Sequence, residues 1–141
     1  VRLEGDAVDS LTKIFFEMWQ TSSKEDNEDL TLYLKGHKVS GEGYIIPYSD
    51  TPLDDEETGE NVYLNMIKHA VDHIYITTPY LILSDEMQRE LILASKRGVD
   101  VRIVTPGIPD KKLTYSLTRS YYADLVRYGV RIYEYTPEES V

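Results

Sequence analysis

Residues 73–106 decide the fold, and they read HIYITTPYLILSDEMQRELILASKRGVDVRIVTP. Two short runs rich in β-branched residues, His73 to Thr78 and Val99 to Thr105, are typical of strands. Between them, a segment begins at Ser84, a good helix N-cap, and ends at Gly98, a common helix terminator. The stretch therefore predicts strand, helix and strand, with the two strands parallel.

The alternation of strand and helix continues on both sides of this unit. Apolar spacing predicts a helix over about 61–72, and Val130 to Tyr135 reads as another strand. Asp110 is a candidate cap for a helix that ends at Gly129. Its predicted apolar face carries Leu113, Leu117, Tyr121, Leu125 and Tyr128. With a further strand predicted at 43–47, we expect an α/β fold with a mainly parallel sheet and helices on both faces.

The N-terminal part has a different character. An amphipathic helix is predicted over residues 7–20, with Val8, Leu11, Phe15, Met18 and Trp19 on its apolar face. Residues 21–42 are largely polar and charged, which favours a linker or mobile loop. We therefore predict three segments: a helical segment at 1–20, a linker at 21–42, and an α/β domain at 43–141.

Composition and charge exclude several classes of protein. A net charge of −10 argues against nucleic-acid binding, since phosphate backbones require Lys and Arg partners. The chain has no cysteine, which excludes disulfides and thiolate chemistry. The charge is uneven: residues 1–60 contain 15 acidic and 5 basic side chains, whereas residues 96–131 contain 3 acidic and 8 basic ones. The basic region is either a solvated surface or a face for anionic lipid.

A repeated dipeptide marks the candidate site. Thr78-Pro79, Thr105-Pro106 and Thr136-Pro137 each follow or end a predicted strand. Ligands of open α/β sheets bind outside the carboxyl ends of the strands, so these pairs predict a pocket rim there. The competing interpretation is that proline simply ends each strand.

Metal and cofactor sites have weak support. His69 and His73 are spaced to share one helical face, but no Glu completes an H-E-x-x-H motif. The acidic run 54–57 could hold a cation, yet such a loop is commonly just solvated. We expect no cofactor and no metal.

Five stretches resemble bacterial cardiolipin synthases of the phospholipase D superfamily. They are VRLEGDAV (1–8), ITTPYL (76–81), RGVDVRIVTP (97–106), RSYY (119–122) and GVRIY (129–133). The resemblance covers nearly the whole chain and is weakest across 21–42. Candidate substrate-binding residues on the rim are Ser49, Asp50, Thr78, Pro79, Tyr80, Thr105, Arg119 and Thr136.

The resemblance implies an enzyme that uses two H-x-K-x4-D motifs to transfer a phosphatidyl group between phosphatidylglycerol molecules through phosphohistidine. Neither motif is present, because none of the three histidines has lysine two positions later. We expect the first motif before Val1 and the second after Val141, which makes residues 1–20 the end of the first catalytic half and 43–141 part of the second. This segment alone should be soluble and inactive, whereas the whole enzyme should reside at the bacterial cell membrane with its catalytic region on the cytoplasmic side or otherwise membrane-associated.

Two other functions remain open at this point. One is a different phosphodiester reaction of the same superfamily, and the other is a non-catalytic α/β interaction domain such as a receiver. A receiver needs a phospho-acceptor Asp at a strand end, where this chain has Thr105-Pro106. The expected partners are a phospholipid substrate and the remainder of the parent chain, with no nucleic acid. Phe15, Met18 and Trp19 should pack on the domain, on a neighbouring segment, or on a second copy by self-association.

Overall fold

The computed structural model divides into two compact units, Val1–Gly59 and Glu60–Val141. It describes residues 2–22, 29–34, 36, 41–51, 55–108 and 110–137. Much of the predicted linker, and Asp54 of the acidic run, lie outside the described residues. The predicted division at 1–20, 21–42 and 43–141 concerns the parent enzyme and stays a prediction.

The first unit is built around helix α1, Ala7–Ser22, which confirms the predicted amphipathic helix. Phe16 is its buried aromatic residue, only 8% exposed. The ring of Phe16 lies 5.0 Å from the ring of Tyr33, just after a short 3-10 helix at Leu30–Leu32. Phe16 was not among the predicted apolar positions, whereas Phe15 and Trp19 are both about half exposed.

The strand predicted at 43–47 is wrong. Residues 44–50 have no regular secondary structure, and Tyr44 is 97% exposed. A strand requires a neighbour for its backbone hydrogen bonds, and these residues pair with no other described segment. Their apolar character alone therefore did not produce a strand.

The second unit holds a three-stranded parallel sheet in the order β1-β2-β3. Its strands are β1 His73–Thr77, β2 Asp100–Pro106 and β3 Arg131–Tyr135. The helices from residue 58 onward are α2 Thr58–His69, α3 Asp85–Lys96, α4 Lys112–Ser120 and α5 Tyr122–Arg127. The predicted α/β class and parallel sheet are confirmed, and the sheet is open.

Helix α3 has the ends that the sequence predicts. The Ser84 hydroxyl accepts a hydrogen bond from the backbone N–H of Met87 at 3.1 Å, and also donates to the Glu60 carboxylate. Gly98 follows the helix with φ +94°, a conformation that favours glycine. Helix α2, by contrast, begins three residues earlier than predicted and ends at His69.

The core lies between one face of the sheet and the helices. Val101 and Ile103 of β2 are buried there against residues of α2, α3 and α5. The helix residues in this cluster are Ile67, Leu91, Ala94 and Leu125.

The opposite face carries no helix within the described part of this unit, which differs from the expectation of helices on both faces. It presents Tyr75, Tyr133 and Tyr135, all at least 48% exposed. At the amino end of the middle strand, Asp100 accepts hydrogen bonds from Arg102 at 2.6 and 2.9 Å and from the Tyr75 hydroxyl at 3.2 Å.

The helix predicted after Asp110 is two helices. Its predicted apolar face is confirmed at Leu125, which lies in the core, and at Tyr121, which packs against the core, but it is wrong at Leu113 and Leu117. A turn at Tyr121, where the N–H bonds to the carbonyl of Thr118 at 3.3 Å, separates α4 from α5. Leu113 is 89% exposed and Leu117 is 44% exposed, whereas Thr118 is 2% exposed. Polar side chains that hydrogen-bond across the fold face inward here instead of leucine.

No helix among the described residues is long and apolar enough to cross a membrane.

Candidate functional site

The three strands end along one edge of the sheet, as the Thr-Pro dipeptides predict. Thr77 pairs with Val104, and Thr105 pairs with Glu134. The N–H of Thr78 bonds to the carbonyl of Val104 at 3.1 Å, so Thr78 and Thr105 are level with each other. Thr136 is two residues past the position opposite Thr105. We call this region, residues 78–81, 105–111 and 134–137 with α4, the carboxyl-end edge.

The segment after β1 is fixed by a local turn. The Thr78 hydroxyl donates to the carbonyl of Tyr80 at 2.8 Å and lies 3.3 Å from the N–H of Tyr80. Pro79, at the tip of this turn, is exposed. The turn sets the direction in which the Tyr80 side chain leaves the edge.

Tyr80 is joined to the loop after β2. Its hydroxyl donates to Asp110 at 2.5 Å, which raises the pKa of Tyr80 and lowers that of Asp110. The ammonium of Lys111 lies 5.7 Å from the centre of the Tyr80 ring. Asp110 therefore does not cap the following helix as predicted; α4 begins after Lys111 with no side-chain cap.

Two threonines at this edge are buried. Thr105, predicted on the rim, is 2% exposed, and its hydroxyl lies 2.6 Å from the hydroxyl of Tyr122. It faces the helices because every second residue of β2 does so. Thr118, which the sequence did not single out, accepts the N–H of Leu81 at 3.1 Å and ties α4 to the segment after β1.

Arg119 is an exposed cation of the site. Its guanidinium nitrogen Nε lies 3.6 Å from Oε1 of Glu134, and its side chain is 58% exposed. Tyr115 donates to the same carboxylate oxygen at 3.1 Å, and Arg119 stacks 5.6 Å from the centre of the Tyr115 ring. Partial burial, followed by the Glu134 carboxylate, raises the pKa of Tyr115. Tyr115 and Glu134 were missed, since they are 19 residues apart and no short motif joins them.

A glycine allows the loops after β2 and β3 to meet. The N–H of Gly107 donates to the carbonyl of Tyr135 at 2.7 Å. A Cβ at Gly107 would lie 2.9 Å from the Thr136 hydroxyl oxygen, closer than real side chains approach. Thr136 itself is exposed, and its place on the rim stays a prediction.

Ser49 and Asp50 belong to the other unit. Both are exposed, and Asp50 accepts the N–H of Gly59 at 3.0 Å. They stay predicted rim residues.

A groove with a volume of about 640 Å³ runs along β1. Its walls include Tyr63 and Met66 of α2, and Tyr80 and Leu81 after the strand. Among the described strands, β1 pairs only with β2. Since Asp72 and Thr78 bond toward β2, the backbone groups of the odd-numbered residues of β1 face outward, toward this groove.

The two histidines in the described part of the chain, His69 and His73, have ordinary partners. Nδ1 of His69 lies 2.8 Å from the carbonyl of Asn65, and Nδ1 of His73 lies 2.9 Å from Asp72. Within the described ranges, no three His, Asp or Glu side chains come together to hold a metal ion.

The carboxyl-end edge presents positively charged side chains and a tyrosine phenol. Arg119 and Lys111 present positive charge, and Tyr80 is held in place by two neighbouring loops. Guanidinium groups pair well with phosphate oxygens. This arrangement is suited to binding a phosphate group.

Comparison with known proteins identifies relatives over nearly the whole chain. A family model described as cardiolipin synthase, PLD-like domain, matches residues 63–141. A Streptococcus mutans protein, named only as uncharacterized, is 49% identical over 137 residues, which is 97% of this chain and 30% of that protein. Cardiolipin synthase 2 of Bacillus anthracis is 37% identical over 135 residues, 94% of this chain and 26% of that protein. Cardiolipin synthase of Alkalihalophilus pseudofirmus is 31% identical over 134 residues, 94% of this chain and 27% of that protein.

The chain spans between about a quarter and a third of the length of these curated relatives. No solved structure matches it significantly. The family match covers more than half of the chain and includes all three strands and the whole carboxyl-end edge. The chain therefore belongs to the cardiolipin synthase family, which has a phospholipase D-like domain.

Proposed function

We propose that this chain forms part of an enzyme that transfers a phosphatidyl group between two phosphatidylglycerol molecules, giving cardiolipin and glycerol. The observation that carries the proposal is the family match across residues 63–141, which contain the carboxyl-end edge. Relatives named cardiolipin synthase that align with 94% of the chain support the same reaction.

The proposed chemistry uses two histidines outside residues 1–141. One attacks phosphorus, and the phosphorus–oxygen bond to the departing glycerol breaks while the second donates a proton to that oxygen. A hydroxyl of the second phosphatidylglycerol then gives its proton to the second histidine, attacks phosphorus and displaces the first histidine, which yields cardiolipin. Because none of the histidines in these 141 residues is followed by lysine two positions later, we propose that this segment alone is inactive.

The proposed role of the carboxyl-end edge is to bind and orient the headgroup. Arg119 is the best candidate for the phosphate because it is exposed and its contact with Glu134 is long, at 3.6 Å. Tyr80, Thr78, Pro79 and Thr136 shape the rim, and Ser49 and Asp50 remain proposed contacts. Thr105 is buried, so it acts by holding Tyr122.

The test is an assay of the complete protein in micelles of phosphatidylglycerol, with cardiolipin and glycerol quantified by mass spectrometry. We expect both products in equal amounts from the complete protein, and none from residues 1–141. In the same assay, R119Q should lower kcat/KM by about 10- to 100-fold, the range for losing a charged hydrogen bond. R127Q, which removes another exposed arginine outside the edge, is the matched control.

The products separate this function from others of the superfamily. Phosphatidic acid released without cardiolipin would show a hydrolase and refute the synthase proposal. If neither product forms, phosphatidyl transfer is excluded for this protein.

A further inference from the structure

Helix α4 turns an apolar and basic face outward beside the carboxyl-end edge. Leu113 is 89% exposed, Leu117 is 44% exposed, and Ile108, in the loop before the helix, is 62% exposed. The inward side of α4 uses Thr118 for its buried contact. The leucines of this helix therefore contribute little to the core of the unit.

Three basic residues flank these apolar side chains, and two acidic residues lie beside the basic ones: Asp110 precedes Lys111, and Glu134 lies 3.6 Å from Arg119. Lys111 and Lys112 precede Leu113, and Arg119 lies near the other end of the helix. From residue 111 to residue 123 the sequence contains these three cations and no acidic residue. We define the α4 patch as Ile108, Lys111, Lys112, Leu113, Leu117 and Arg119.

We propose that the α4 patch docks onto the surface of a membrane that contains anionic phospholipid. Basic residues are attracted to the negative potential of such a surface, and exposed leucines gain by entering the boundary between headgroups and acyl chains. Each property alone would fit other partners, but cations and leucines on one short helix are complementary to a surface that is both anionic and apolar.

The net charge of −10 does not prevent this docking. The acidic residues are concentrated in residues 1–60, with 15 acidic against 5 basic side chains, whereas residues 96–131 carry 8 basic and 3 acidic ones. At physiological ionic strength, charges separated by more than about 8 Å are largely screened from one another. The charges close to the patch therefore govern its approach to a membrane, and there the three basic residues outnumber the neighbouring Asp110 and Glu134.

The patch lies beside the proposed substrate site, so docking would bring lipid substrate to that site. This role of the docking rests on the proposed function. Arg119 belongs both to the patch and to the carboxyl-end edge, and Lys111 contacts the ring of Tyr80. A membrane bound at α4 would present its headgroups directly to the rim. A lipid substrate would then reach the site without leaving the bilayer.

The test is co-sedimentation of the chain with vesicles, which reads binding without requiring catalysis. Vesicles of phosphatidylcholine mixed with phosphatidylglycerol are compared with phosphatidylcholine alone. We expect binding to the mixed vesicles and at least about fivefold weaker binding to pure phosphatidylcholine. K111Q/K112Q and L113S/L117S should each weaken binding to mixed vesicles about tenfold or more.

Matched controls come from the opposite end of the sheet. Val71, before β1, is 91% exposed, so V71S removes an apolar side chain as exposed as Leu113. K68Q/K96Q removes two positive charges from the ends of α2 and α3. Both controls should bind as the wild type does, and circular dichroism confirms that every variant is folded.

Each result decides the proposal. It is overturned if the wild type does not bind mixed vesicles, or if the controls weaken binding as much as the patch variants do. If only K111Q/K112Q loses binding and L113S/L117S does not, the patch binds a soluble phosphate ester or a headgroup without insertion, and membrane docking is refuted. Failure of the catalytic assay with vesicle binding intact would reject the proposed reaction alone.

Discussion

Individual hydroxyl groups hold the carboxyl-end edge together. Tyr80 bonds to Asp110, Thr105 bonds to Tyr122, and Thr118 accepts the N–H of Leu81. These pairs lie between 17 and 37 residues apart in sequence. Sequence analysis found Tyr80 and Thr105 through the Thr-Pro repeat, but it could not find their partners, because a long-range hydrogen bond leaves no periodic signal.

Thr118 offers a test of one such bond. T118V keeps the shape of the side chain but leaves the buried N–H of Leu81 without its acceptor, so we expect a loss of about 1–3 kcal/mol in the free energy of unfolding. T118S retains the hydroxyl and should lose less. Urea unfolding followed by circular dichroism measures both. Equal stability of T118V and the wild type would contradict the assigned role.

Among the elements, those with complete local signals were predicted well. Helix α3 has a serine cap, a first turn with two acidic residues and a glycine after its end, and all are observed. The helix at 110–129 was predicted from a cap at Asp110, apolar spacing and an end at Gly129. The cap is not observed and Leu113 and Leu117 lie outward, whereas Leu125 is buried and Gly129 has φ +95°. The strand at 43–47 failed for another reason, since apolar residues form a strand only where a partner strand is available.

Asp100 links all three strands on the face that lacks helices in the described unit. It bonds to Arg102 of its own strand and to Tyr75 of β1, and lies 3.7 Å from Arg131 of β3. The hydrogen bond from Arg102, aided by the nearby positive charges, holds the pKa of Asp100 below its ordinary value. A carboxyl group with a lowered folded-state pKa stabilises the fold above the unfolded-state pKa, about 3.9, and this contribution is lost as the pH falls through the folded-state pKa.

D100N should therefore lower the urea midpoint at neutral pH. The difference from the wild type should shrink as the pH falls below about 4, because the wild-type carboxyl group then takes up its proton. D72N, which removes a carboxylate that is 90% exposed, is the control and should shift the midpoint little. A D100N difference that stays constant down to the lowest pH would show that charge on Asp100 is not the cause.

For the whole molecule, the sequence predicted the α/β fold class and the parallel sheet. It did not predict which surfaces of the sheet and helices are covered by other elements. Strands separated by amphipathic helices predicted the parallel sheet correctly. Which surfaces stay open depends on neighbours that no local pattern encodes. The open sheet face and the half-exposed aromatic residues of α1 are examples.

Self-association through α1 remains a prediction at this scale. Phe15 and Trp19 stack with ring centres 5.9 Å apart beside a groove of about 430 Å³. If two copies associate there, sedimentation equilibrium should show a mass that rises with concentration, and F15S/W19S should weaken the association about tenfold or more. A constant monomer mass would leave packing on the domain or on a neighbouring segment as the way in which this face is covered.

The outward-facing backbone of β1 has a practical consequence. Within the described residues this strand has a neighbour on one side only, and the groove beside it is lined by apolar side chains. Such an edge is a template on which extended chains from other molecules can add, so concentrated samples of this chain should be prone to fibrous or amorphous precipitation. Within the described residues β3 is the other edge strand, so the outer sides of both strands are places where such addition could begin.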